Sequence, residues 1–383
     1  NNVVVIATLG AFALLPSATR LTSGDISDTQ VRVLGIGVTL GIVVQTVALL
    51  PALKATGFRF RFRLGLRGTG LAPAARLAKW TLFYVGCNQL VYLVVVRLAT
   101  GTGRELDYNA YVNAFVLWQL PHAVVAVSIV SALLPAMSQA ALEGRLTDLR
   151  EQLDRGLRAA IALLVPAAVT YLVLGRPIAT MVLGHGRTSP ADARFIGTML
   201  AVFACGLVAF STYQMQLRAF YALQDTRTPA LINLAVNLTT VAVDLLLFVT
   251  LPDDLRGLGL AAGQASSYLV GVWVCTQVLA ARVPRDPRGR VLQTAARSLT
   301  AALPPACLAL TVALLAQAVL GHGPLGAGVA AVAGGSALLA GYLVLARRLG
   351  VTEVDELLGP VTAKITGGPR RSRSGPIPPN SQG

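Results

Sequence analysis

Charged residues are scarce in this chain. Only 13% of its 383 residues are charged, whereas a soluble domain carries about 25%. The hydrophobic fraction is 54%, and the apolar residues form long uncharged blocks separated by short charged stretches. This pattern excludes an ordinary soluble domain and is typical of a chain that crosses a membrane several times.

Histidine and cysteine are also few, with three and four residues. The histidines show no metal-ligand spacing, and no two cysteines form a CxxC pair, so we expect neither a metal site nor disulfides. The sequence also lacks GxSxG, HExxH, a phosphate-cradling glycine loop and paired carboxylates. We therefore expect no cofactor and no enzyme activity. Each cysteine lies within an apolar block, namely Cys87, Cys205, Cys275 and Cys307.

Apolar blocks long enough to cross a bilayer recur along most of the sequence. They predict an all-α, polytopic transmembrane bundle of about ten spans. Pro121 is expected to kink the fourth span, and the fifth is expected to extend as far as Leu183. The predicted spans are residues 2–16, 33–53, 80–100, 108–136, 159–175, 195–217, 228–250, 257–281, 298–320 and 325–346.

Positive charge is concentrated on one side of this predicted bundle. With alternating spans, the loops 54–79 and 282–297 share a side with the C-terminal tail. That side holds 24 of the 32 basic residues. The positive-inside rule makes it cytoplasmic, so we expect a cytoplasmic C-terminus. The net charge of +15 then sets orientation and does not indicate a nucleic-acid partner.

Asp244 is the acidic residue that lies well within an apolar span. A charge there is costly, so the residue is either an ion or proton site or a neutral Asp bonded to a neighbouring helix. Asn233, Asn237 and Thr240 fall on the same helical face at spacings of four, three and four. Such a stripe fits either a water-filled cavity or hydrogen bonding between helices.

Other polar side chains within the spans are candidates for lining a cavity. Arg97 lies near the end of the third span, where it could contact an anionic substrate or extend to the interface. The candidate substrate or cavity residues are Gln45, Asn88, Gln89, Arg97, Asn113, Gln119 and Asn237, and the candidate ion-site residues are Thr240 and Asp244.

Two segments outside the spans have distinct patterns. In 139–158, leucines recur every three or four residues among charged ones, which predicts an amphipathic helix lying on the membrane. From Gly367 onwards the chain consists of Gly, Pro, Ser and Arg without periodicity, which predicts a disordered tail that can touch membrane lipids.

Several motifs resemble one known family, the lipid II flippases called MurJ, formerly MviN. The resemblance extends to about residue 346, and the turn Gln224-Asp225-Thr226-Arg227-Thr228-Pro229 is its most specific element. The others are Gly35-Ile36-Gly37-Val38-Thr39-Leu40-Gly41 with Gln45, Leu133-Leu134-Pro135-Ala136-Met137-Ser138, Phe220-Tyr221-Ala222-Leu223 and Gly257-Leu258-Gly259-Leu260-Ala261.

The resemblance implies a fold and a domain organisation. The ten spans correspond to helices five to fourteen of a two-lobe flippase fold, so the first four helices are expected to be missing. The implied segments are an N-terminal lobe remnant (1–53), a basic cytoplasmic linker (54–76), a six-helix C-terminal lobe (77–281), two final helices (298–346) and a mostly disordered cytoplasmic tail (347–383).

The resemblance also implies a function. Family members move lipid II, a lipid-linked peptidoglycan precursor, between leaflets of the bacterial inner membrane by alternating access. The implied partners are lipid II or a related polyprenyl-linked saccharide, membrane lipids and the cell-wall synthesis machinery. Sodium or proton coupling is an implied option. Two alternatives stay open: an exporter of another polysaccharide-lipid or of drugs, and a non-transporting scaffold for cell-wall assembly.

This sequence departs from the family pattern at charged positions. Where members often carry an Arg and a Glu in the eighth helix, it has Val116 and Gln119. Where some members bind sodium through a seventh-helix Asp, it has Val95. The matching eleventh-helix pair is Thr240 and Asp244. The substrate-binding charges are thus expected elsewhere, or the cargo differs.

Overall fold

The structure is a computed structural model that describes residues 2–14, 27–57, 71–102, 105–186, 188–284 and 289–354. Within these ranges all regular structure is helical. The helices are α1 (Asn2–Ala13), α2 (Asp28–Ala55), α3 (Leu71–Thr100), α4 (Glu105–Pro121), α5 (Val127–Leu142), α6 (Leu146–Leu183), α7 (Pro190–Ala222), α8 (Arg227–Thr250), α9 (Arg256–Ala280), α10 (Arg290–Leu320) and α11 (Pro324–Arg348).

The predicted all-α membrane bundle is confirmed. Within the described part of the chain, nine helical segments are long and apolar enough to cross a bilayer. The helix Asn2–Ala13 is apolar but shorter. The fifth span extends to Leu183, as predicted.

The chain forms two compact units, residues 1–71 and 72–383. In the first unit α1 packs along α2. Gly37 makes this close approach possible, because an added Cβ would overlap the side chain of Thr8. Gly35 has open space around it instead. Close helix packing therefore accounts for a glycine at position 37 but not at position 35. Ser27 and Gln30 form a capping box that starts α2.

In the second unit α7 is the most buried of the membrane-length segments. It packs against α4, α6 and α9. An added Cβ at Gly206 would lie 2.7 Å from Cα of Ala265, so the backbones of α7 and α9 approach closely. Trp118 is fully buried, and its ring centroid lies 5.5 Å from Phe203 and 4.8 Å from Phe210.

Helices α10 and α11 pack on each other and on α6, where they form a second apolar core. The hydroxyl of Tyr342 donates to the carbonyl of Ala162 at 2.5 Å. The chain continues past α11, and Glu353 accepts from Arg158 at 2.7 Å. Val351 and Val354 are buried beside it. The first residues of the predicted tail are therefore packed, whereas 355–383, including its predicted disordered part, lie outside the described residues.

Pro121 is the last residue of α4, within the fourth span, and its predicted kink stays a prediction. Residues His122–Ala126 form a π-helical turn directly after it, and α5 continues from Val127. Pro121 has no N–H to donate to the carbonyl of Leu117, and this carbonyl accepts from the hydroxyl of Tyr171 at 2.9 Å instead.

The prediction of a separate amphipathic helix over 139–158 is wrong. Helix α5 ends at Leu142, and α6 begins at Leu146 and runs without a break into the span. Of the predicted leucine stripe, Leu149, Leu153 and Leu157 are buried, whereas Leu142 is 75% exposed. The pattern thus matches the buried face of α6 at these three leucines, but it could not show that the helix continues into the span.

Candidate functional site

A cavity of about 480 Å³ opens between α3, α4, α7, α8 and α9 in the second unit. Its lining mixes apolar side chains with hydroxyls and amides, and none of the described lining residues is charged. A cavity of this kind offers neutral hydrogen bonds and aromatic surface to a ligand. The polar lining residues are Tyr84, Asn88, Tyr92, Tyr111, Gln119, Tyr213, Gln214, Asn233, Asn237, Gln264 and Tyr268.

Asn88 on α3 connects two helices at the cavity wall. Its Oδ1 accepts hydrogen bonds from Nδ2 of Asn233 at 2.9 Å and of Asn237 at 3.0 Å, both on α8. On the other side, Nε2 of Gln264 donates to the hydroxyl of Tyr268 at 2.8 Å. Asn233 and Asn237 on α8 therefore line the cavity and also bond a neighbouring helix.

The structure brings some predicted cavity residues together and leaves others apart. Asn88, Gln119 and Asn237 line the cavity. The remaining candidates in this unit have exposed side chains outside its lining, and Gln45 lies exposed in the first unit. A role for those residues stays a prediction. The three exposed candidates of the second unit are Gln89, Arg97 and Asn113.

The tyrosines that line the cavity were not predicted from the sequence. One signal was available, because Tyr84, Asn88 and Tyr92 recur every four residues and share a face of α3. The approach of Tyr213 on α7 to Tyr268 on α9, with ring centroids 6.2 Å apart, depends on the packing of distant segments. Sequence spacing carries no such information.

The candidate ion site lies on the buried face of α8. Thr240 and Asp244 are 1% and 0% exposed. The Thr240 hydroxyl donates to the carbonyl of Val236 at 3.1 Å, which leaves its oxygen lone pairs free. Neither carboxylate oxygen of Asp244 has a hydrogen-bond partner among the described residues. Oxygen donors of this type suit a proton or a small hard cation, so the residues fit the implied coupling ion in kind.

Val95, which the resemblance matches to the seventh-helix Asp of some family members, is 3% exposed and lines the cavity. Its side chain offers no oxygen to an ion. Asp244 is thus the carboxylate that the described part of this site supplies. More generally, no cluster of three or more His, Cys, Asp or Glu side chains suited to a metal occurs within the described ranges.

The six-residue family motif forms the turn between α7 and α8, as the resemblance implied. Gln224 adopts a left-handed conformation with φ of +58°. Asp225 Oδ1 accepts from the backbone amides of Arg227 and Thr228 at 2.9 and 3.0 Å. Arg282, after α9, donates to Asp225 Oδ2 at 2.5 Å and to the Thr228 hydroxyl at 2.9 Å.

Two further contacts attach this turn to α3. The hydroxyl of Thr226 donates to the carbonyl of Leu77 at 3.5 Å. The guanidinium of Arg227 lies 5.5 Å from the ring centroid of Trp80, a distance suited to a cation–π contact. Pro229 is buried in the first turn of α8. The motif therefore ties together the ends of α3, α7, α8 and α9, four helices that line the cavity.

Burial of the Asp225 carboxyl raises its pKa, but the hydrogen bonds from Thr228 and Arg282 outweigh this effect. The net result is a pKa below the usual value of an aspartate. The carboxylate is therefore charged at neutral pH, as its bonds to the two backbone amides require.

The glycines of the Gly257-Leu258-Gly259-Leu260-Ala261 motif allow close approaches at the start of α9. An added Cβ at Gly257 would lie 2.8 Å from Cγ of Asp107, and one at Gly259 would lie 2.9 Å from Cδ1 of Leu251. Asp107 is fully buried. The motif thus packs α9 against the beginning of α4 and the end of α8, close to the cavity.

Comparison with known proteins identifies the family. The model of the lipid II flippase MurJ family matches residues 1–330. The chain belongs to this family. Together with the nine apolar helices, membership makes the chain a multi-pass protein of the bacterial inner membrane.

Two bacterial relatives show how much of a family member's length the chain covers. It is 29% identical over 241 residues to the probable lipid II flippase MurJ of Rhizobium meliloti (strain 1021), covering 62% of the chain and 43% of the relative. It is 26% identical over 215 residues to that of Vibrio cholerae, covering 55% and 40%. The chain spans about half the length of the curated relatives that it matches.

The fold also matches a solved structure, that of a lipid II flippase MurJ in an inward closed conformation. The TM-score is 0.65 at 15% sequence identity, over 91% of this chain and 66% of the other. The similarity supports the same helical fold.

Proposed function

We propose that this chain acts in transport of a lipid-linked peptidoglycan precursor, lipid II, from the inner to the outer leaflet. The precursor carries a polar saccharide-peptide head that cannot cross hydrocarbon unaided, because each polar group would lose its hydrogen bonds to water. A hydrated cavity between helices lowers that cost. The proposed activity involves no covalent chemistry, so the protein is not proposed to be an enzyme.

The observation that carries the proposal is the uncharged polar lining of the 480 Å³ cavity. Amides such as Asn88 and Gln264 both donate and accept, which matches the hydroxyl and acetamido groups of a saccharide. Tyrosine rings offer flat apolar surface with a polar tip. Family membership makes the saccharide of lipid II the favoured occupant.

We further propose that Asp244 couples transport to a proton or a sodium ion. Binding an ion at this buried carboxylate removes the cost of an uncompensated charge, so the site favours different packing of α8 and α9 with and without the ion. Thr240 would supply a second oxygen. The two-lobe organisation and the cytoplasmic position of the basic loops and the C-terminus belong to the same proposal, supported by the distribution of Lys and Arg.

The test is rescue of growth in a bacterium whose own lipid II flippase is depleted. Expression of the gene that encodes this chain should restore growth. The variant Gln264→Leu, which replaces a cavity amide on α9, should weaken rescue. Gln277→Leu is the matched control, because Gln277 is exposed on the same helix outside the cavity lining.

The outcome also separates the alternatives. Growth rescue that depends on Gln264 supports flipping of lipid II. Absence of rescue from a protein that is expressed and inserted, combined with export of another polysaccharide-lipid or a drug, would favour the exporter. Rescue that is indifferent to cavity variants would favour a scaffold in cell-wall assembly.

A further inference from the structure

A second, smaller cavity adjoins the first in the same unit. Its volume is about 130 Å³, and it lies between α7 and the region around the π-helical turn and α5. Gln214 on α7 lines both cavities, so the two spaces meet at this side chain. The other polar residues of the small cavity are His122, Ser131 and Arg218.

Arg218 brings the positive charge that the large cavity lacks. It lies four residues after Gln214, so both side chains share one face of α7. Its side chain is exposed, and its guanidinium lies 5.8 Å from the ring centroid of Tyr221. Because Arg218 lines the small cavity, its five N–H donors are available to a ligand there.

The charge of Arg218 is not neutralised by the part of the protein that the structure describes. Arg150, Arg158 and Arg282 each lie within 2.9 Å of a carboxylate oxygen. For Arg218 no carboxylate lies within 4 Å among the described residues. An unpaired arginine next to a polar cavity is the arrangement expected of an anion site.

His122 is fixed in orientation at the same cavity. Its Nδ1 shares a hydrogen bond with the hydroxyl of Ser211 at 2.9 Å, and its ring lies 4.5 Å from that of Phe210. This bond leaves Nε2 as the ring nitrogen for a ligand. His122 and Arg218 line the same cavity, so the imidazole offers a ligand there one hydrogen bond beside the charge of the arginine.

We propose that Arg218, with His122 and Gln214, binds the pyrophosphate of a polyprenyl-linked saccharide whose sugars occupy the larger cavity. The inference rests on the proposed function and deepens it. Removing a pyrophosphate from water is costly without a counter-charge, and the large cavity supplies none. A guanidinium binds phosphate oxygens through two parallel hydrogen bonds. Gln214 stands where the head group would pass from one cavity to the other.

The test measures binding of farnesyl pyrophosphate to the purified protein in detergent, with farnesol as the probe that lacks the charged group. Wild type should bind farnesyl pyrophosphate more tightly than farnesol. Arg218→Gln should weaken farnesyl pyrophosphate binding at least about tenfold, which corresponds to about 1.4 kcal/mol, and leave farnesol binding unchanged. Arg218→Lys, which keeps the charge and loses the planar fork, should show a smaller loss.

Matched controls isolate the effect. Arg194→Gln changes another arginine of α7 outside both cavities and should bind like wild type. Thermal unfolding of each variant verifies its fold, and Arg218→Lys carries the test if Arg218→Gln does not fold. The proposal is overturned if wild type and the Arg218 variants bind farnesyl pyrophosphate with equal affinity. It is also overturned if wild type binds farnesol as tightly as farnesyl pyrophosphate. If phosphatidylglycerol competes for the site as strongly as farnesyl pyrophosphate does, the proposal is also overturned, in favour of a phospholipid head-group site.

Failure of this inference can be distinguished from failure of the proposed function. Pyrophosphate binding that depends on Arg218, together with absence of growth rescue, contradicts lipid II transport and supports the anion site. Growth rescue together with binding that is indifferent to Arg218 supports transport and contradicts the anion site.

Discussion

Asp244 on α8 is in direct contact with Gly263 on α9, and the contact exists because residue 263 has no side chain. An added Cβ at Gly263 would overlap Oδ1 of Asp244 and would lie 3.3 Å from its backbone nitrogen. Asp244 is fully buried. The carboxylate of the candidate ion site is therefore enclosed by the backbone of the neighbouring helix.

Gly263→Ala should destabilise the protein by about 1–3 kcal/mol, because the added methyl group forces either the carboxylate or a helix to move. Combining it with Asp244→Ala should cost less than the sum of the single changes, since the smaller side chain makes room. Unfolding of the purified protein in detergent measures both. Gly335→Ala is the control, because Gly335 has open space around it. Additive effects would contradict the contact.

Asp244→Asn should weaken growth rescue while leaving the free energy of unfolding equal to or above that of wild type. The amide keeps the size of the side chain but cannot carry the charge that would hold a cation or a proton. Stability should not fall, because a buried carboxylate without a partner is itself unfavourable. Growth-rescue assays measure the first effect, and unfolding of the same purified variant measures the free energy of unfolding. Full rescue would remove Asp244 from the mechanism.

Asn88→Leu should destabilise the protein by about 1–3 kcal/mol, because the amides of Asn233 and Asn237 lose their common acceptor. Asn88→Asp should retain more stability, since a carboxylate oxygen still accepts both bonds. Thermal unfolding ranks the two variants. A melting temperature of Asn88→Leu equal to that of wild type would contradict the prediction. It would mean that water in the cavity replaces the lost acceptor and that the amide network does not stabilise the fold.

Part of this organisation could be predicted from the sequence because it depends on local periodicity. The spacing of Asn233, Asn237, Thr240 and Asp244 identified the buried face of α8. Pro121, where the sequence predicts a kink, is followed directly by the π-helical turn. Both features follow from one helix and its own hydrogen bonds, which neighbouring residues determine.

Features that depend on packing between distant segments could not be predicted in this way. The leucine stripe near Leu149 is compatible with a helix at the membrane surface and equally with the buried first part of a long helix. The segments that pack against it determine which of the two forms. Here the Arg150–Asp154 pair on α6 and the Arg158–Glu353 pair across 195 residues neutralise charges along that helix. Its polar residues therefore do not prevent burial.

The Asp225–Arg282 pair should make stability depend on pH in acid. The pKa of Asp225 in the folded protein is lowered, so its contribution is fully present above the unfolded value of about 3.9. It is lost as the pH falls from there through the folded pKa. Asp225→Asn should be less stable than wild type by about 1 kcal/mol at neutral pH, and the difference should shrink below about pH 4.

Melting temperatures of both proteins between pH 3 and pH 8 measure this difference. Asp253→Asn is the control, because Asp253 is 75% exposed in its ion pair with Arg256 and such pairs contribute little. A difference between wild type and Asp225→Asn that stays constant down to pH 3 would contradict the assignment.

Gln224 should tolerate glycine but not a β-branched residue. Its φ of +58° places it in the left-handed region, which costs a side-chain-bearing residue about 1–2 kcal/mol. Gln224→Gly removes that strain but gives the unfolded chain more freedom, so stability should stay within about 1 kcal/mol of wild type. Gln224→Val should lose more, because branching at Cβ is poorly tolerated there.

The left-handed residue lets the amide of Asp225 donate to the carbonyl of Phe220 at 2.9 Å, which positions Asp225 to start α8. Gln224→Val should therefore also weaken the Asp225–Arg282 pair, and its melting temperature should depend less on pH below about 4 than that of wild type.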